Sequence, residues 1–133
     1  MVNWSSLRAN ALKAARDAGP IEAHAILSRL MCRALDSIRD LLPEEGERAL
    51  NEALAFWMDG MGGAASLTAT RVSCWKYLDQ KPGGSSAIPD DGAAAMRAVI
   101  CVLFPEPQRD DFSMDTLEFF AEMFDRMGRD IAA

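Results

Sequence analysis

Apolar residues recur at helical spacing along most of this chain. Leu27, Leu30, Met31, Ala34, Leu35, Ile38, Leu41 and Leu42 follow one another at intervals that place them on one face of a helix. Glu22, Arg29, Arg33, Asp36 and Asp40 fill the opposite face, so residues 20–42 read as one amphipathic helix. Behind Pro43-Glu44-Glu45, where acidic groups complement the positive end of a helix, Ala49, Leu50, Ala53, Leu54 and Trp57 form a second stripe. Leu67, Cys74, Trp75 and Leu78 predict another helix near 65–80. Punctuation separates these segments. Gly19-Pro20 ends a first helix near 4–18, capped by Asn3 or Ser5, and starts the next. Residues 59–64 and 80–88 are predicted loops. Asp90 or Asp91 caps a helix near 89–104 that Pro105 and Pro107 end, and Ser113 caps a last helix to Gly128. No stretch alternates apolar and polar residues between turn signals, so no strand is predicted.

The segment from Ala93 to Phe104 is apolar on every side except at Arg97. A helix apolar all round is buried all round. The expected fold is therefore all-α: a single compact domain over residues 1–133, an orthogonal-type bundle of about six helices packed around the helix near 89–104. Ala93, Ala94 and Ala95 let neighbours come close to it. The segments on either side of the 80–88 loop are too small for separate cores.

Composition narrows the function. A net charge of −6 and a pI near 4.7 weigh against nucleic acid as a partner. The longest apolar run is short of the roughly 20 residues that span a bilayer, so no membrane partner is expected. The start Met1-Val2-Asn3-Trp4-Ser5-Ser6 is polar and lacks the pattern of a secretory signal. Cys32, Cys74 and Cys101 are odd in number and widely spaced, and read as buried free thiols of a cytoplasmic protein. No metal, cofactor or nucleophile motif occurs. His24 reads as a structural histidine near the edge of an apolar face, and the glycine clusters as turns. No catalytic residue is predicted, and none of the patterns requires a cofactor.

Two polar patterns remain. Asp111, Asp115, Glu118, Glu122 and Asp125 fall within about 80° of one helix face if the last helix extends to Asp111. Arg109, Arg126 and Arg129 relieve their repulsion only near the ends. With Phe119 and Met123 beside it, the stripe reads either as an acidic solubility face or as a docking surface for a basic partner. The second pattern is a pair of arginines. Arg71 lands in the middle of an apolar face and Arg97 stands alone on the buried helix. Each needs water or a counter-charge, since an unpaired buried charge is costly. Asp90, Asp91 and Glu106 are candidate counter-charges, and the alternative is an anion site. Trp57 and Trp75 occupy core positions, and Trp4 is either a staple or an exposed anchor.

Three segments together are similar to the helical immunity proteins of bacterial polymorphic-toxin and antagonism systems. They are Ala49-Leu50-Asn51-Glu52-Ala53-Leu54-Ala55-Phe56-Trp57, Arg71-Val72-Ser73-Cys74-Trp75 and Ala95-Met96-Arg97-Ala98-Val99-Ile100-Cys101. The resemblance spans about residues 45–104 and transfers no individual binding residue. It implies a non-catalytic protein that neutralises a cognate toxin by forming a tight complex. The acidic stripe of Asp111, Asp115, Glu118, Phe119, Glu122 and Asp125 would then meet a basic toxin domain. The alternatives are a helical adaptor or chaperone, and a small anion-binding domain or enzyme built on Arg71 and Arg97.

Overall fold

In the computed structural model, residues 4–81, 83–84 and 87–129 are described, with side chains from Arg8 onward. Asn3 and the side chains of Trp4 and Ser5, given capping or anchoring roles above, lie outside these. Six α-helices follow in order: α1 (Trp4–Arg16), α2 (Pro20–Leu35), α3 (Glu44–Asp59), α4 (Ala64–Asp79), α5 (Asp91–Ile100) and α6 (Phe112–Arg126). A 3-10 segment, Asp36–Leu41, continues α2. The described residues contain no strand.

The centre is α5. Every residue from Ala93 to Leu103 is buried, Arg97 included, and α2, α3, α4, α6 and the 3-10 segment all pack against this stretch. Its small side chains admit close neighbours. At Gly46 of α3 an added Cβ would stand 2.6 Å from the Met96 sulfur, so α3 approaches α5 where its own side chain is a hydrogen atom. Phe120, Phe124 and Leu117 of α6, Leu27, Met31 and Leu35 of α2, Leu50 of α3, and Leu67 and Leu78 of α4 complete the core.

Several boundaries differ from the sequence reading. The predicted helix 20–42 ends at Leu35, and Ile38 breaks the following turn with φ −114° and ψ 16°. The Ser37 hydroxyl donates to the Ala34 carbonyl there (2.7 Å). The central helix is shorter than 89–104. Asp90 caps it by accepting from the Ala93 amide (2.8 Å), and turns carry residues 101–103. Ser113 does not cap α6. Asp111 holds that position in the left-handed region (φ 61°), makes no side-chain cap bond, and lies outside the helix.

Candidate functional site

Ser113 fails to cap because its hydroxyl is engaged elsewhere. It lies 2.7 Å from His24 Nδ1, and His24 Nε2 lies 2.7 Å from the Phe104 carbonyl. A carbonyl only accepts, so Nε2 carries the proton and Nδ1 accepts from the serine. His24 is 1% exposed. Burial holds its pKa below the ordinary value, against the opposing pull of the Phe104 carbonyl and of Glu106. The neighbouring Val102 carbonyl accepts from Trp57 Nε1 (2.8 Å). The chain leaving the C-terminal end of α5 thus has two carbonyls satisfied by side chains of α2 and α3. His24 is a structural histidine, lying deeper than the edge position its spacing suggested.

The acidic stripe is exposed, with a charge environment that differs from expectation. Asp115, Glu118, Glu122 and Asp125 all lie on the solvent side of α6. Asp111 is also exposed but precedes the helix, so it leaves the periodic face. Relief reaches the middle of the stripe, because Arg8 of α1 pairs with Glu118. Arg109 pairs with Asp115 at 2.7 Å, and Arg126 lies 3.9 Å from Glu122. Arg129 turns away to Asp40 (2.7 Å), holding that carboxyl below its ordinary range. Beside the stripe, Phe119 is 37% exposed, whereas Met123 is buried.

Of the two arginines singled out on apolar faces, Arg97 lines a pocket together with Phe119, and Arg71 lies over Phe104, another residue of that lining. Arg97 is 6% exposed. Its guanidinium donates to the Ala87 carbonyl (3.0 Å) and sits 5.5 Å from the centre of the Trp75 ring. Burial lowers its pKa, Arg126 adds to the effect, and Asp79 opposes it. Two of the candidate counter-charges named from sequence, Asp90 and Glu106, have other contacts among the described residues. Asp90 is occupied as a cap, Glu106 acts on His24, and among the described residues Asp79 is a carboxylate that acts on Arg97. Arg71 is half-buried over the Phe104 ring at 4.2 Å, with its pKa lowered by burial. Trp75 is half-buried too, so it belongs to this rim rather than to the closed core.

Between α4, α5 and α6 lies a pocket of about 270 Å³. Trp75, Phe104, Phe112 and Phe119 supply aromatic walls, and Arg97, Arg109 and Asp115 supply charge. Arg109 also stands 5.8 Å from the Phe112 ring centre. Sequence reading set Arg71 with Arg97 as one pattern and Asp115 with Phe119 as another, and the fold brings Arg97, Asp115 and Phe119 to one pocket, with Arg71 over its Phe104 wall. It missed Arg109 as a member, since that residue lies in the link before α6 and pairs with Asp115 in space.

The thiols are closed off. Burial pushes Cys32 and Cys101 up to about 12 and Cys74 up to about 11, so none is an effective nucleophile at neutral pH. Among the described residues no group of His, Cys, Asp and Glu is placed to hold a metal ion, and no helix is long and apolar enough to cross a membrane. The chain matches no protein-family profile, no curated protein and no solved structure.

Proposed function

We propose that this protein acts by binding a basic protein partner through the outer face of α6, and that the partner is a toxin it neutralises. One observation carries the reading. Asp115, Glu118, Glu122 and Asp125 all face solvent beside the partly exposed ring of Phe119. Carboxylates steer a cationic partner and an aromatic edge anchors it. The arginines that pair with the stripe do not close it, because exposed ion pairs contribute about 0–1 kcal/mol and exchange readily for a partner's lysine or arginine. The toxin follows from the resemblance of residues 45–104 to helical immunity proteins. The role asks no bond-making chemistry of the chain itself.

The test is association with the protein encoded by the adjacent upstream reading frame, measured at two salt concentrations. Wild-type association should slow as salt rises. The double variant E122K/D125K should associate about tenfold more slowly while unfolding within about 0.5 kcal/mol of wild type, as surface changes do. Unchanged association would remove this face from the function. Failure of the wild type to protect cells from the upstream protein would remove the toxin.

A further inference from the structure

We propose that the pocket between α4, α5 and α6 binds a small organic anion, a carboxylate carried on an aromatic ring. The proposal does not rest on the docking role of α6. Its first support is charge placement. The chain as a whole is acidic, at −6, yet three guanidiniums gather at this pocket. Arg97 and Arg109 line it, and Arg71 stacks on Phe104, one of its walls. Against them the lining offers one carboxylate, Asp115, and Asp79 acts on Arg97 from outside the lining. Among the described residues the lining carries two guanidiniums and one carboxylate, and Arg71 and Arg97 are partly desolvated, which strengthens their attraction for an anion.

The second support is the way the cations are held. Each of the three lies over an aromatic ring, Arg71 on Phe104, Arg97 on Trp75 and Arg109 on Phe112. Stacking engages the face of a guanidinium, whereas its N–H donors lie in the plane and suit the two oxygens of a carboxylate. The third support is the cavity itself. Its walls are aromatic and apolar with a few charged groups, the general composition of a small-molecule site. At about 270 Å³ it falls just under the usual range of roughly 300–1,000 Å³, so it fits a single ring rather than a larger cofactor. Phe119 leaves part of its ring in solvent beside this pocket.

Calorimetry and thermal unfolding with benzoate and phenylacetate as probes, and with benzamide and inorganic phosphate as comparisons, test the site. The carboxylates should bind saturably and raise Tm. Benzamide, which keeps the ring and loses the charge, should bind at least about tenfold more weakly. Phosphate, which keeps charge and loses the ring, should also bind more weakly. Arg109→Gln, at an exposed position, should weaken benzoate binding about tenfold. Asp115→Asn removes the internal competitor for Arg109 and should tighten it several-fold, an effect a purely structural ion pair would not produce. Arg48→Gln, on α3, should change nothing. The proposal is overturned by any of three results: no saturable binding of either carboxylate up to roughly 10 mM, benzamide binding as tightly as benzoate, or Arg109→Gln and Asp115→Asn leaving benzoate affinity unchanged. Phosphate binding as tightly as benzoate would overturn the requirement for a ring.

Discussion

His24 is the one histidine of the chain, and its burial ties stability to pH in a window where few other groups titrate. Its pKa in the folded protein lies below the 6.5 of an unperturbed imidazole. The unfolded chain therefore takes up a proton before the folded one does. Stability is full above the unfolded value and declines as pH falls below it, with a limiting slope of about 1.4 kcal/mol per pH unit. Asp40, lowered by Arg129, acts only in the more acidic range near and below its ordinary value of 3.8. His24→Gln removes the titration. A glutamine amide can still donate to the Phe104 carbonyl but leaves the buried Ser113 hydroxyl without its acceptor, at a cost of about 1–3 kcal/mol. His24→Ala strands both groups and empties the ring's volume, which costs roughly 3–5 kcal/mol, a large share of a typical stability of about 5–15 kcal/mol. Urea unfolding followed by tryptophan fluorescence and circular dichroism, from about pH 8 to pH 5, reads both effects. Wild type should lose stability below about pH 6.5, and His24→Gln should be flat. A flat wild-type profile, or an equal slope in both proteins, would refute the reasoning.

Other outcomes follow from the same contacts. Trp57→Phe keeps only a smaller aromatic ring and deletes the donor to Val102, so it should cost at least about 1–3 kcal/mol in urea unfolding. The Ser28 hydroxyl is fully buried and meets no hydrogen-bond partner among the described residues. Ser28→Ala should therefore be neutral or stabilising, by up to about 1 kcal/mol in the same assay. Gly60 closes α3 with φ +67°, and Gly60→Ala should lower stability by about 1 kcal/mol. Ellman's reagent should find no reactive thiol in the native protein and should release signal from Cys32, Cys74 and Cys101 only on unfolding.

The buried helix was legible because a segment apolar on every side has no solvated orientation. The stripes of α2 and α3 were legible for the complementary reason, that each has one apolar face. The end of α2 was not. Leu35, Ile38 and Leu41 are spaced by three, and that spacing suits a 3-10 turn as well as an α-helix, so periodicity alone cannot place the change at Asp36. Ser113 reads as a cap from local chemistry, but a histidine 89 positions away takes its hydroxyl. The Arg8–Glu118 pair joins residues 110 positions apart, and the Arg97–Ala87 bond reaches from the central helix back into the 80–88 loop. Local pattern carries no information about such partners. Of the candidate site, sequence supplied the unusual residues and the fold supplied their convergence.

Placing the hub of the bundle near residue 100 sets an order for assembly during synthesis. A ribosome that has released α1 to α4 has made the surfaces that will surround α5 without the segment that fills them. The nascent protein must hold that incomplete shell until Leu103 clears the exit tunnel, and transiently uncovered apolar surface is what chaperones recognise. Fragments cut before α5 are accordingly expected to aggregate rather than persist as smaller folded units.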